Sequence, residues 1–242
     1  MPISKRSEGR DQDTVSRIHQ FLARFSFAFN QEELLFEAFT HSSYVNEHRE
    51  ENLENYERLE FLGDAVMELM VSQYLFKHYP GLSEGDMTKL RAAIVCETGL
   101  VMFASSLSFD QLIFLGRGEK VTGGQNRPGL LCDVFEAFVG ALYLDQGLEA
   151  VGRFLKQVVY PRIDDGTFSH VMDFKSQLQE TVQRQDLGEL DYAVTMEMDG
   201  ERQKGFLAKV LLDGKAISSG QGQSKKDAEQ NAAREALKKI AG

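Results

Sequence analysis

The stretch that decides the fold of this 242-residue chain is NYERLEFLGDA, at residues 55–65. At about 100° per residue, Glu57, Glu60 and Asp64 stand at positions i, i+3 and i+7, so an α-helix brings their carboxylates to one face. Their neighbours are mostly apolar, and no lysine lies in the stretch. A carboxylate among apolar neighbours is costly unless it is paired, protonated or bound to a cation. The stretch therefore predicts a helix that carries a cation site.

A second acidic stretch, DVFEA at residues 133–137, repeats the spacing. Asp133 and Glu136 are three residues apart in another apolar run, so they also share a helical face. Carboxylate oxygens are the ligands that Mg²⁺ and Mn²⁺ prefer, whereas zinc prefers histidine and cysteine. The five histidines are scattered and form no ligand pair at short spacing. The two stretches together predict a magnesium-dependent enzyme, with Mn²⁺ as a substitute and without a zinc site.

Composition narrows the class of protein. With 42% hydrophobic and 26% charged residues, the chain is typical of a soluble globular protein. It has no apolar run near the roughly 20 residues of a membrane span, and its start lacks the apolar core of a secretory signal. We therefore expect no membrane partner and a cytoplasmic location. Cys96 and Cys132 lie in apolar surroundings without a metal-binding spacing, which predicts buried thiols in a reducing compartment.

The net charge of −10 argues at first against a nucleic-acid partner. The charge is unevenly distributed, however. Residues 172–242 hold 11 Lys+Arg and 12 Asp+Glu, a net of −1, and the remaining −9 belongs to residues 1–171. The acidic surplus therefore lies with the predicted cation site, and basic clusters in the last part of the chain leave nucleic acid open as a partner.

The pattern of residues changes along the chain and predicts two domains. Residues 1–160 have the period of successive helices, with a predicted loop from Gly116 to Gly129. Residues 161–171 break that period and predict a linker. Residues 172–242 have the order helix, three alternating strands and helix, which indicates a small α+β domain. Within the helical domain, Gly140 lacks a Cβ atom and would let another backbone approach closely.

The final helix is predicted from Ser224 to Ile240, and it begins with Lys225 and Lys226. A helix start offers free N–H groups and the positive end of the helix dipole, which together favour anions such as phosphate. The alternative is a solvated basic pair without a ligand. The preceding Gly-Gln-Gly at residues 220–222 and the order of helix and strands favour the phosphate-binding interpretation.

These stretches resemble bacterial ribonuclease III over nearly the whole chain. FTHSSY at residues 39–44 is similar to an early block of that family, ERLEFLGD at residues 57–64 to its signature, and DVFEA to its second acidic block. The resemblance implies an all-α endonuclease domain followed by a small α+β (α-β-β-β-α) double-stranded-RNA-binding domain. It also implies a homodimer that cuts double-stranded RNA and leaves 5′-phosphate and 3′-hydroxyl ends with short 3′ overhangs. Processing of ribosomal RNA precursors and other structured transcripts would be its role.

The resemblance also assigns roles to residues. It implies that Mg²⁺ is held by Glu60, Asp64, Asp133 and Glu136, that the catalytic pair is Asp64 and Glu136, and that supporting acids are Glu57 and Glu84. It implies RNA contacts by Gln179, Gln183, Lys225 and Lys226. Where the family usually carries a loop with Gly-Pro-x-His, this chain has Asp-Gly-Glu-Arg at residues 199–202, so that Arg202 stands at the histidine position.

Two alternatives come from other classes of protein. A regulator that binds double-stranded RNA without cutting it would have no need of all four carboxylates. A metal phosphohydrolase for small nucleotides would leave residues 172–242 without a role, and its substrate binding would depend only weakly on salt.

The apolar residues near the signature, such as Phe61 and Met67, are expected in the core of the domain.

Overall fold

The computed structural model describes residues 11–168, 173–199 and 202–241. The helices of the first part of the chain are α1 (Gln12–Arg24), α2 (Glu32–Ala38), α3 (Ser42–Glu47), α4 (Glu57–His78), α5 (Glu84–Val95), α6 (Glu97–Ser106), α7 (Arg117–Val121), α8 (Pro128–Val158) and α9 (Tyr160–Asp164). They are followed by α10 (Phe174–Arg184), β1 (Leu190–Asp199), β2 (Arg202–Leu212), β3 (Lys215–Gly222) and α11 (Lys225–Ala241). The predicted fold class, a helical domain followed by an α-β-β-β-α domain, is confirmed.

The chain divides into two compact units. The first contains Met1–Tyr74 and Ala93–Pro161, and the second contains Leu75–Ala92 and Arg162–Gly242. The predicted domain limits at residues 160 and 172 stay a prediction. In the described part of the chain, no helix has the length and apolar character needed to cross a membrane.

The core of the first unit is a cluster of phenylalanine rings around helix α8. The ring of Phe138 lies 5.0 Å from that of Phe154, 5.4 Å from that of Phe21 and 5.7 Å from that of Phe109, measured between centroids. These edge-to-face pairs are favourable beyond the apolar area that they bury. Because Phe138 is fully buried, the cluster fixes the rotation of α8 about its own axis.

Helix α8 begins with Pro128 at its first position and is interrupted at Gly147, whose φ of +75° and ψ of −176° are not helical. Proline suits the first turn because its missing N–H would have no partner there. Gly147 adopts a conformation that residues with a Cβ atom rarely take. The segment of α8 before Gly147 carries the second acidic stretch.

The predicted loop from Gly116 to Gly129 is partly wrong, because it contains helix α7 and a 3₁₀ turn at Gly124–Asn126. Contacts from elsewhere in the first unit hold the start of α7. The N–H of Arg117 donates to Oε1 of Glu47 at 2.8 Å, and the N–H of Gly116 donates to the hydroxyl of Ser43 at 3.0 Å. One residue pair outside the strands, Thr40 and Phe114, forms an isolated parallel bridge.

The sheet of the second unit is antiparallel with the order β1-β2-β3. Tyr192 pairs with Val210, and Lys209 pairs with Ser219. Apolar side chains of α10, β2 and α11 are buried together: Leu178, Val182, Ala208, Val210, Ala228, Ala232, Ala233 and Ala236. The small alanines let α11 lie close to the sheet, so this domain has two helices that share one core.

Strand β3 runs so close to helix α11 that two of its residues have to be glycine. A Cβ atom on Gly220 would collide with the backbone N of Ala232, and one on Gly222 would collide with that of Ala228. The hydroxyl of Ser218 donates to the carbonyl oxygen of Ala232 at 2.7 Å. These contacts fix the position of the amino end of α11 relative to the sheet.

Candidate functional site

Helices α4 and α8 cross in backbone contact, and two glycines make this approach sterically feasible. A Cβ atom on Gly63 would collide with the backbone carbonyl of Glu136, and one on Gly140 would collide with that of Leu59. The prediction that Gly140 lets another backbone approach closely is confirmed. The crossing brings the acidic face of α4 against the acidic face of α8.

Glu136 is the most enclosed acid of this crossing, with 9% of its surface exposed. Burial and, after it, the negative charges of Asp64, Glu60 and Asp133 in that order raise its pKa to about 8. The carboxylates from the two sequence stretches therefore lie close enough to repel one another. Without a cation, Glu136 therefore keeps its proton to a higher pH than an ordinary glutamate does.

Glu60 and Asp133 are half-buried, and burial is also the main reason that the pKa of each is raised. The charge of Asp133 adds to the effect on Glu60. For Asp133, a hydrogen bond from Tyr56 acts in the opposite direction, since the Tyr56 hydroxyl donates to Oδ2 at 3.2 Å and favours the ionised carboxylate. Tyr56 thereby fixes the orientation of the Asp133 side chain.

We call the four predicted ligands Glu60, Asp64, Asp133 and Glu136 the acid cluster. Ligand atoms of Asp133 and Glu136 lie within 4.8 Å of each other, and the charges of Asp64 and Glu60 act on Glu136. Ion pairs of the described first unit are formed by other acids, as between Arg127 and Glu119 at 2.8 Å. Burial first, and then neighbouring negative charges, raise the pKa values of Glu60, Asp133 and Glu136, and a bound cation would favour their ionised forms. Oxygen ligands are what Mg²⁺ and Mn²⁺ prefer.

Cys132 lies beside this cluster. One ligand atom each from Cys132, Asp133 and Glu136 lies within 4.8 Å of the other two. Burial, followed by the charges of Glu136 and Asp133, raises the pKa of the Cys132 thiol to about 12. The thiol therefore stays protonated without a metal and is not a nucleophile. The prediction of two buried thiols is wrong for Cys96, which is exposed, whereas Cys132 is half-buried.

The structure places the two predicted supporting acids in different units. Glu57 is exposed in the first turn of α4, and its negative charge raises the pKa of Glu60. Glu84 is exposed in the first turn of α5, within the second unit, and its carboxylate accepts a hydrogen bond from the Thr88 hydroxyl at 3.1 Å. The part of Glu84 in the reaction stays a prediction.

Sequence reasoning missed several residues that act on Asp133, among them Tyr56 and Arg127. Tyr56 stands four residues before Glu60, a spacing of one helical turn that could have placed it on the acidic face. Arg127 directly precedes Pro128 at the start of α8, and its positive charge lowers the pKa of Asp133. No spacing in the sequence indicated the effect of Arg127, since it depends on the position of the whole helix start.

The raised pKa of Glu136 predicts how the stability of the metal-free protein depends on pH. Its pKa rises from an ordinary 4.5 to about 8 on folding, so its contribution to stability is complete below pH 4.5 and is lost as pH rises through 8. Glutamine does not ionise, so the Glu136→Gln protein does not lose this stability as pH rises. We expect its melting temperature to exceed that of the wild type by roughly 5 °C at pH 8, and the difference to vanish near pH 4. Thermal melts followed by circular dichroism in chelator, from pH 4 to pH 8, test this prediction. A difference in melting temperature between the two proteins that is the same at every pH would contradict it.

The predicted RNA contacts of α10 line a groove in the second domain. Gln179 and Gln183 are exposed and one turn apart, and with the start of β1 they line a groove of about 620 Å³. Beside them, the ammonium of Lys175 lies 4.5 Å from the ring centre of Tyr192 and 2.7 Å from a carboxylate oxygen of Glu229. Exposed amides in a groove suit hydrogen bonds to the hydroxyls and base edges of a nucleic acid.

The predicted phosphate contacts lie at the amino end of α11. Lys225 and Lys226 are exposed in its first turn. The Ser224 hydroxyl caps the helix by accepting the N–H of Asp227 at 3.1 Å, which satisfies one N–H of the first turn. The backbone of Arg202 begins strand β2, but its side chain lies outside the described part of the structure, as do residues 200 and 201.

Comparison with known proteins agrees with both domains. Residues 31–163 match the Ribonuclease-III-like family, and residues 174–240 match the double-stranded RNA binding motif. The chain is 58% identical to Ribonuclease 3 of Bacillus licheniformis over 242 residues, covering 98% of this chain and 97% of the relative. It is 60% identical to Ribonuclease 3 of Bacillus cereus over 220 residues, covering 91% and 90%.

A solved structure agrees as well. The nuclease domain of ribonuclease III from Campylobacter jejuni is 38% identical, with a TM-score of 0.53, and the match covers 57% of this chain and 94% of that domain. The fold and the acid cluster thus define a nuclease domain joined to a double-stranded-RNA-binding domain. The chain belongs to the ribonuclease III family.

Proposed function

We propose that this chain is an endonuclease that hydrolyses phosphodiester bonds of double-stranded RNA with divalent cations, Mg²⁺ or Mn²⁺. One observation carries the proposal: the nearly buried Glu136 faces other carboxylates across a helix crossing, so that its pKa is raised to about 8. The ligands would be Glu60, Asp64, Asp133 and Glu136. When bound, the cations supply an activated water and positive charge beside the departing 3′-oxygen.

The residues of the cluster prepare this reaction in different ways. Glu136 would release its proton when a cation binds, and would then act with Asp64 as the catalytic pair. Asp133 is held in one orientation by the Tyr56 hydroxyl. The glycine crossing fixes the separation of α4 and α8 through backbone atoms, so the carboxylates need little rearrangement before the reaction.

The second domain would supply affinity for the duplex. In the wide minor groove of A-form RNA, Gln179 and Gln183 would bond 2′-hydroxyls and base edges. Lys225 and Lys226 would face phosphates at the start of α11. We propose Arg202 as a further contact, from its position in the chain. Such contacts recognise the shape of a duplex more than its sequence, which suits structured transcripts in general, among them ribosomal RNA precursors in the cytoplasm.

We propose that the enzyme acts as a homodimer. The expectation that Phe61 lies in the core is wrong, since 83% of its surface is exposed, whereas Met67 is buried as expected. Leu69 on the same helix is 54% exposed. Large apolar side chains exposed on one helix are candidates for an interaction surface. The Campylobacter jejuni domain is described as having structural flexibility in the region involved in its own dimer formation. Each chain of the dimer would supply one acid cluster. Each cluster would cut one strand of the RNA, which would leave short 3′ overhangs.

The decisive experiment incubates the purified protein with a long, fully paired RNA in Mg²⁺, in Mn²⁺ and in chelator, and maps both ends of the products. We expect metal-dependent cuts with 5′-phosphate and 3′-hydroxyl ends and 3′ overhangs. Tight binding without cuts in either metal would instead support a regulator that binds RNA without cleaving it. Binding that hardly responds to salt would favour a phosphohydrolase for small nucleotides.

Replacing Lys225 and Lys226 by alanine is expected to weaken RNA binding in a salt-dependent way. Each phosphate contact contributes about 1 to the slope of log K against log salt, so the double variant should lower the slope by about 2. Binding isotherms on a paired RNA at several salt concentrations measure it. The matched control is the double variant Lys238→Ala and Lys239→Ala, which removes the same charge from the other end of α11. Equal slopes for both variants would contradict the assignment.

A further inference from the structure

The Cys132 thiol adjoins the acid cluster and has no part in the proposed reaction. On α8, Cys132 stands at position i, Asp133 at i+1 and Glu136 at i+4. One ligand atom of each of these three residues lies within 4.8 Å of the other two. We propose that these three residues form a site for a thiophilic divalent cation, Zn²⁺ or Cd²⁺, and that its occupation inhibits the enzyme. The binding stands on this geometry alone, whereas the inhibition rests on the proposed function.

The separations suit a small tetrahedral ion after a modest adjustment. Zinc bonds of about 2.3 Å to sulfur and about 2.0–2.2 Å to oxygen place neighbouring ligand atoms about 3.6 Å apart. The separation of at most 4.8 Å therefore has to shrink by up to about 1.2 Å, which rotations of these side chains supply. Water or another carboxylate of the cluster would take the fourth position.

A second observation points to a cation here. Glu136 is only 9% exposed, and within the described ranges no hydrogen bond reaches its carboxylate. A buried carboxylate without a partner is a costly arrangement that a bound cation removes. The carboxylates alone would serve a hard ion equally well, but the thiolate adds affinity only for a soft one. The identity of residue 132 therefore decides which ions compete for the cluster.

The binding step is a ligand exchange without a change of oxidation state. The cation forms bonds to the Cys132 sulfur and to one oxygen each of Asp133 and Glu136. The thiol proton, and any proton on Glu136, passes to the solvent. Asp133 and Glu136 are then unable to serve the arrangement proposed for the reaction. The sequence alone predicted no zinc site, since it contains no close pair of cysteine or histidine residues.

The test is a titration of Cd²⁺ into the full-length metal-free protein, followed by the ultraviolet charge-transfer band of a cadmium–thiolate bond. We expect one equivalent to produce the band in the wild type and in Cys96→Ser. Cys96 is the matched control because it is the other cysteine and is exposed. Cys132→Ser should lose the band and bind Cd²⁺ at least tenfold more weakly.

Inhibition is measured separately, as the Zn²⁺ concentration that halves RNA cleavage at fixed Mg²⁺, relative to the uninhibited rate of each variant. It should rise at least tenfold in Cys132→Ser and stay unchanged in Cys96→Ser. If Cys132→Ser does not fold, alkylation of Cys132 in the Cys96→Ser protein replaces it, and Zn²⁺ should slow that reaction at least tenfold.

The proposal is overturned if the cadmium band persists in Cys132→Ser or if Zn²⁺ does not slow the alkylation of Cys132. It is also overturned if Zn²⁺ inhibits Cys132→Ser and the wild type equally. Failure of the proposed function would look different. A protein that never cuts RNA but shows a band dependent on Cys132 would contradict the nuclease proposal and would still support the cation site.

Discussion

Glu136→Gln is expected to abolish RNA cleavage while RNA affinity changes little. The amide keeps the size of the side chain but removes the charge that would hold a cation at the centre of the acid cluster. We expect the single-turnover rate at saturating enzyme to fall by about 10³-fold or more, which corresponds to roughly 4 kcal/mol of transition-state stabilisation. The dissociation constant for a paired RNA, measured in chelator, should stay within about threefold of the wild type, because the second domain carries much of the binding.

The control for this prediction is Glu149→Gln. It is the same substitution on the same helix, at an exposed position beyond Gly147, and it should leave the cleavage rate unchanged. A Glu136→Gln protein that still cuts at a tenth of the wild-type rate would remove Glu136 from the catalytic pair. A parallel loss of RNA affinity would mean that the helical domain contributes more to binding than we propose.

Gly63→Val is expected to disrupt the crossing of α4 and α8 and to unfold the site. Any Cβ atom at residue 63 meets the backbone of Glu136, and a backbone carbonyl is unable to move aside as a flexible side chain can. We expect a loss of about 4 kcal/mol or more in the free energy of unfolding, and a fall in melting temperature of roughly 10 °C. Thermal melts followed by circular dichroism measure the stability. Cleavage should be lost as well, because the acidic faces separate.

Gly118→Ala is the matched control, since Gly118 lies in helix α7 with no other atom within 4 Å of its would-be Cβ. Alanine there should raise stability by up to about 1 kcal/mol through helix propensity. If Gly63→Val melts within about 2 °C of the wild type, the close crossing does not hold in solution and the cluster must be assembled in another way.

The sequence predicted well those features that depend on local spacing. The helix predicted for the stretch with Glu57, Glu60 and Asp64 is observed as Glu57–His78, and the three predicted strands are present. The i, i+3 and i+7 positions of the acids follow from the helical period alone. The convergence of two acidic faces was inferred from chemistry, because charge in apolar sequence has to be neutralised.

Features that depend on tertiary contacts could not be predicted from the sequence pattern. Helix α7 contains a glycine and is flanked by others, so its propensity is low, and it forms because Glu47 and Ser43 hold its start. Phe61 follows the pattern of a core residue but lies on the outer side of α4. Cys96 precedes the first residue of α6 and is exposed. Nothing in a linear pattern distinguishes these positions from buried ones.

The interruption of α8 at Gly147 has a consequence for changes in chain length. In a continuous helix, one inserted residue rotates everything beyond it by about 100°. Gly147 leaves the helical conformation with open space around its Cα, so the angular phase of Leu148–Val158 is not coupled to that of Asp133 and Glu136. We expect an insertion or deletion at Gly147 to change the conformation near this residue without rotating the helical segment that carries Asp133 and Glu136. The acidic pair keeps its direction through such events, whereas a single insertion between Asp133 and Glu136 would turn one carboxylate away from the other.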